Sequence, residues 1–208
     1  MYESKASNEI LSTYSSDDFY GILNAGEDIT QPNSVAALSI AIGRLPVRTV
    51  AEADTVVGKI MQYQQQPIKG VWQNQLTWIA DDEDYNLHLQ DAEEIVQHLQ
   101  DKQKTWDHKK IYLDAYAPVM SNGGLIYPDA NADITASVNK GTVLLNYTGH
   151  GNYLRLSEQA VISAAEIQSW DNAHRLPILV TASCDFAPYD QPQLRQIGRA
   201  SCRERVSS

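Results

Sequence analysis

Cysteine is scarce in this chain: only Cys184 and Cys202 occur among 208 residues. Two are too few for a disulfide framework, and no metal-ligand spacing accompanies them, so the cysteines imply no metal site and no required cofactor is expected. Basic residues are also short, 16 Lys and Arg against 26 Asp and Glu, for a formal charge of −10. That balance argues against a general nucleic-acid binder, which carries a basic face; it favours solubility and does not identify a fold. No apolar run approaches the length of a membrane span. The opening Met1-Tyr2-Glu3-Ser4-Lys5 lacks the basic and apolar regions of a signal peptide. Either the mature chain is cytosolic, or Met1 is not its true beginning.

What is present is a globular composition, 43% hydrophobic and 20% charged. The length suits one ordinary domain, or one domain and part of another. Short apolar runs at 35–42, 75–80, 110–115, 142–147 and 176–182 read as strands. Helical periodicity separates them. One helix runs from Thr49 or Val50 to about Gln64, with Val50, Val56, Val57, Ile60 and Met61 near one face and Pro67 closing it. A second runs from about Leu89 to Lys102 with Ala92, Ile95, Val96 and Leu99 on one face. A third covers 131–140 with Gly141 as its cap, and a fourth runs from about Ser163 to Asn172. Strand–helix alternation predicts an α/β fold with a mostly parallel sheet flanked by helices.

Two of these strands end in reactive residues. The run 142–147 breaks into Thr148-Gly149-His150-Gly151, and the run 176–182 breaks into Ser183-Cys184-Asp185-Phe186. Open parallel sheets carry their chemistry just beyond the carboxyl ends of their strands. A lone buried Cys there is commonly an inert small hydrophobe, and a lone His a surface hydrogen bonder. A Cys and a His at the ends of consecutive strands suggest more: a thiol nucleophile with its base. A neighbouring imidazole favours the thiolate and then protonates a departing amine. The developing oxyanion needs amide donors; the N–H groups of Gly149 and Cys184 are the candidates. The acidic run Asp81-Asp82-Glu83-Asp84 after the strand at 75–80 reads either as a solvated loop or as a calcium site, since calcium takes several carboxylate oxygens.

The two strand-end motifs carry a resemblance. Leu145-Asn146-Tyr147-Thr148-Gly149-His150-Gly151 resembles the histidine motif of the gingipain family of cysteine peptidases, peptidase family C25. The segment from Leu176 to Phe186 resembles its cysteine motif. Ser16-Asp17-Asp18-Phe19-Tyr20-Gly21 and Ile42-Gly43-Arg44-Leu45-Pro46-Val47 are similar to the family as well. The resemblance implies a caspase-like fold, with Cys184 as nucleophile and His150 as acid/base. It also implies an acid supporting the histidine, for which Glu83 aligns best and a shift of one or two residues selects Asp82 or Asp81. His88 falls near the place where arginine-specific members hold the acid of their substrate pocket, so trypsin-like specificity is not implied. The form Thr181-Ala182-Ser183-Cys184-Asp185-Phe186 is closest to the branch serving as sortase of the bacterial type IX secretion system.

That branch implies substrates with C-terminal sorting signals, outer-membrane secretion components as partners, and a place on the outer surface of a Bacteroidetes-like cell. The alternatives are a secreted gingipain-like endopeptidase and a non-catalytic caspase-like structural domain. Three parts are expected: residues 1–68 as the end of an N-terminal α/β subdomain, 69–193 as a partial catalytic subdomain, and 194–208 as a non-native tail. The tail, with Arg195, Arg199, Arg203 and Arg205 against the single acid Glu204, resembles translated sequencing-adapter read-through. Family members continue beyond the cysteine strand, so the fold is expected to be truncated on its C-terminal side, and the piece to be of doubtful activity.

Overall fold

The computed structural model of the chain describes residues 2–3, 15–24, 38–66, 68–184, 186–188 and 197–202. They belong to two compact units, residues 1–46 with 188–193 and residues 47–187 with 194–208. In the first unit Tyr2–Glu3 pairs antiparallel with Ser15–Ser16, and Asp18–Gly21 forms a single 3-10 turn. Arg44 grips Asp17 through two hydrogen bonds, Nε to Oδ2 and Nη2 to Oδ1, both 2.5 Å. The fork matches the carboxylate's two oxygens and holds the Asp17 carboxyl below its usual range. The segments at 16–21 and 42–47 therefore meet. The strand expected over 35–42 is absent from its described part, 38–42, which runs as bends and irregular backbone; residues 35–37 lie outside the described residues. An apolar run becomes a strand only where another strand takes up its backbone groups, and no described strand pairs with this one.

The second unit opens with α1 (Val50–Gln65), started by Thr49, whose hydroxyl accepts the Glu52 N–H at 3.2 Å. Of its expected apolar face only Val56 is buried; Val50, Val57, Ile60 and Met61 are exposed. Periodicity identifies an apolar stripe, but a neighbour must cover it. Four strands then build one parallel sheet: β1 (Gln75–Ala80), β2 (Asp107–Tyr112), β3 (Leu144–Thr148) and β4 (Ile178–Ala182), in the order β4-β3-β1-β2. Between β1 and β2 lies α2 (Leu87–Lys102), and between β2 and β3 lies α3 (Pro128–Lys140), with Pro128 in its first turn and Gly141 after its last.

Side-chain alternation along β1 separates the two faces of the sheet. Leu76 and Trp78 pack with Val96 of α2, while Ile79 packs in a larger core with Ile134 and Val138 of α3 and with Leu145 and Tyr147 of β3. Ile167 of α4 (Ala164–Ser169) completes that core. The buried Thr77 hydroxyl is satisfied by Ser137 and Thr142, at 2.7 and 3.1 Å. The strand expected over 110–115 instead starts at Asp107, because β2 pairs residue by residue with β1 from Gln75 onward. As the outermost strand it leaves Asp107, Lys109 and Lys110 in solvent. Val119–Ser121 and Gly124–Ile126 pair as a short antiparallel hairpin between β2 and α3. The final helix, α5 (Ile197–Cys202), falls in the segment expected to be a non-native tail; its Ile197 is buried and its N–H donates to the Tyr153 carbonyl at 2.7 Å. No described helix is long and apolar enough to cross a membrane.

Candidate active site

The chain order of the sheet reverses at one place. From β1 it steps outward to β2, then returns to the other side of β1 to lay down β3 and β4. The carboxyl ends beside such a reversal form a crevice. The ends are also level: Ala80 stands opposite Thr148, and Thr148 opposite Ala182. Asp81–Asp84, Gly149–Gly151 and Ser183–Cys184 therefore emerge side by side. His150 and Cys184 each lie two residues past that shared level. Cys184 is a free, exposed thiol.

Two glycines permit the approach. Gly149 has φ +154°, and a Cβ there would lie 2.4 Å from Asp81 Cβ and 2.7 Å from Tyr147 Oη. A Cβ on Gly151 would lie 2.4 Å from Ser183 Oγ. Bare backbone at 149 and 151 thus lets the acidic loop and the cysteine loop close on the histidine turn. The Gly149 N–H donates to the Ala182 carbonyl at 3.1 Å. This corrects the expectation that it is an oxyanion donor, because the sheet ladder already uses it. Among the described residues the N–H groups of Gly151 and Cys184 have no acceptor.

The four carboxylates that follow β1 take different partners. Asp81 is 1% exposed; its Oδ2 accepts the His150 N–H at 3.2 Å and lies 3.2 Å from Tyr147 Oη. Burial outweighs these bonds and raises its pKa to about 6. Tyr147 Oη lies only 2.5 Å from the His150 carbonyl. One phenolic proton cannot serve both oxygens at once. Tyr147 is the donor in both contacts, so it serves the Asp81 carboxylate and the His150 carbonyl in turn. Asp82 accepts from Tyr127 at 2.5 Å, and Glu83 accepts from Gln159 at 3.2 Å.

Asp84 reaches the imidazole. Its Oδ2 lies 2.8 Å from His150 Nε2, whereas the nearest Glu83 oxygen, Oε2, is 3.9 Å away. The Asp84 hydrogen bond raises the His150 pKa above its ordinary value. Asp84, Tyr85 and Asn86 all have left-handed backbone, with φ of 54°, 55° and 63°. That conformation costs roughly 1–2 kcal/mol per non-glycine residue, least for Asp and Asn, and strain of this kind gathers at functional sites. The turn leads into α2 and sets His88 against His150, ring centroids 5.1 Å apart and perpendicular. An open cleft beside His150 is lined by Glu83, Gly151, Asn152, Arg155, Ser157 and Glu158.

Sequence reasoning thus named His150, Cys184, Glu83 and His88; Glu83 and His88 both stand beside His150, and Cys184 follows the neighbouring strand end. It missed Tyr147 and the specific reach of Asp84. The only hint in the sequence was that Asp84 and Asn86 are residue types that tolerate a left-handed turn.

The model of Peptidase family C25 matches residues 2–206. No curated protein sequence matches the chain significantly. Among solved structures, the Arg-specific cysteine proteinase gingipain R is similar with a TM-score of 0.70 and 18% identity, over 93% of this chain and 41% of that one. A complex of Porphyromonas gingivalis RgpB pro- and mature domains is similar with a TM-score of 0.68 and 18% identity, over 92% of this chain and 41% of the other. The chain therefore spans less than half the length of these solved relatives. Its fold is the caspase-like α/β fold of the gingipains, and the chain belongs to peptidase family C25.

Proposed function

We propose that this chain carries the catalytic centre of a cysteine peptidase that works through a thioester. The observation behind it is the level register of β1, β3 and β4, which sets Asp84, His150 and Cys184 at one end of the sheet. The Cys184 thiolate attacks the scissile carbonyl carbon and forms a C–S bond. The N–H groups of Cys184 and Gly151 face the oxyanion. Asp84 pairs with Nε2 and leaves Nδ1 of the His150 imidazolium to protonate the departing amine as the C–N bond breaks. In the second half, His150 takes a proton from the attacking water or amine, the C–S bond breaks, and the thiolate returns.

The finer reading is a sortase-like role: cleavage of C-terminal sorting signals from secreted proteins, with the acyl group passed to water or to a surface amine. It draws on the Thr181–Phe186 motif and on His88, which by the sequence resemblance falls near the place where arginine-specific relatives hold an acid. On this reading the protein works at the outer cell surface, with outer-membrane secretion components as partners.

The test compares the protein with its Cys184→Ala variant, following processing of a substrate that bears a sorting signal. Loss of processing with an unchanged circular dichroism spectrum is expected. Normal processing by the variant ends the catalytic reading. Cleavage of generic Arg or Lys substrates, with the sorting signal left intact, replaces the sortase role with that of a secreted endopeptidase.

A further inference from the structure

His88 Nε2 is buried and has no hydrogen-bond partner among the described residues. It lies 3.4 Å from Asp84 Oδ2, which itself lies 2.8 Å from His150 Nε2. One ligating atom from each of these residues falls within 4.8 Å of the other two. Two imidazoles and a carboxylate form the donor set of many open zinc sites, with Zn–N of about 2.0–2.1 Å and Zn–O of about 2.0–2.2 Å. Tetrahedral coordination at such lengths puts neighbouring ligand atoms roughly 3.3–3.4 Å apart. The His88–Asp84 separation already has that value, and the short Asp84–His150 contact has only to open by about half an ångström.

We propose that Asp84, His88 and His150 form an inhibitory site for a borderline divalent transition metal, Zn²⁺ being the best fit. The buried orphan nitrogen of His88 points to a ligand. It faces Asp84, and its ring stands edge-on to His150. The mixed nitrogen–oxygen set prefers zinc over magnesium, which holds its waters and favours oxygen. The inhibitory effect rests on the peptidase reading above. A metal on Nε2 occupies the nitrogen that pairs with Asp84 and displaces its proton, so His150 can no longer exist as the doubly protonated imidazolium that donates to the leaving amine. Removal of the metal by a chelator restores it. The fourth coordination position stays open to water or to a substrate group.

Binding is measured apart from catalysis, by titration calorimetry with zinc chloride on the Cys184→Ala variant, which removes the neighbouring Cys184 thiol as a competing ligand. One Zn²⁺ per chain is expected, with no response to equal magnesium. Adding His88→Gln, or separately Asp84→Asn, weakens binding at least tenfold. On the protein with Cys184 intact, zinc abolishes activity, EDTA restores it, and His88→Gln raises the inhibitory concentration at least tenfold. Failure of Cys184→Ala to bind zinc overturns the proposal, as does unchanged affinity in both ligand variants. If zinc binds as described to a protein with no peptidase activity, the site stands and the peptidase reading falls.

Discussion

Asp81 sits at the junction of three strand ends, buried, accepting the His150 N–H and facing the Tyr147 hydroxyl. Its raised pKa, about 6, means the folded state holds a proton that the unfolded chain releases near pH 4. The stability contributed by that proton is complete below about pH 4 and is lost as pH rises through about 6. Urea denaturation of the native sequence is expected to show this decline, on the order of 2 kcal/mol. Asp81→Asn flattens it. A decline of the same size in the variant assigns it to other groups. At His150 the sign runs through Asp84: Asp84→Asn removes the charge-assisted bond, so the imidazole pKa falls, which a histidine NMR titration reads directly. On the peptidase reading, the alkaline limb of the pH–activity profile moves to lower pH with it. Gly149→Ala meets both a positive φ and a 2.4 Å contact with Asp81 Cβ, and roughly 2–4 kcal/mol of destabilisation is expected in thermal or urea melts.

Elements follow the same logic with longer reach. Helix α3 packs Ile134 fully into the larger core, whereas Ile95 on α2 is 45% exposed. Ile134→Ala is expected to cost about 2–5 kcal/mol, and Ile95→Ala to stay within about 0.5 kcal/mol, when both are compared by urea denaturation. Equal losses would mean that the outer face of α2 is also covered. The helices were readable from periodicity and caps: Thr49 starts α1 and Gly141 ends α3, although α3 opens at Pro128, three residues before the expected start at 131. Their buried faces were less readable. Ile95 shares the apolar stripe of α2 with Ala92 and Val96, yet only the latter two turn fully inward. Strand ends shifted by a few residues, because pairing register decides where a ladder begins, as β2 shows at Asp107.

For the whole molecule, β4 is an edge strand among the described residues, with Ile178 65% and Val180 45% exposed. An exposed apolar edge invites pairing with another chain, and charge on the edge opposes it. Val180→Lys is expected to reduce self-association of the chain in size-exclusion chromatography at micromolar concentration; an unchanged profile would show that the edge is not what associates. The cysteine loop follows directly from this edge, so whatever lies against β4 also bears on the position of Cys184.

Local properties of the sequence were sufficient for the alternation of strands and helices, and for the placement of a histidine and a cysteine at consecutive strand ends. Periodicity, capping residues and turn glycines act over a few residues, and so do the motifs that resemble the gingipain family. Only the tertiary structure decided which acid meets His150, that the Gly149 N–H is spent on Ala182, and that His88 stands beside the imidazole. The Asp84 contact spans 66 residues and the Gly149–Ala182 bond 33. Adjacent carboxylates differ little as residue types; a left-handed turn at Asp84–Asn86 and the level register of three strands separate them in space.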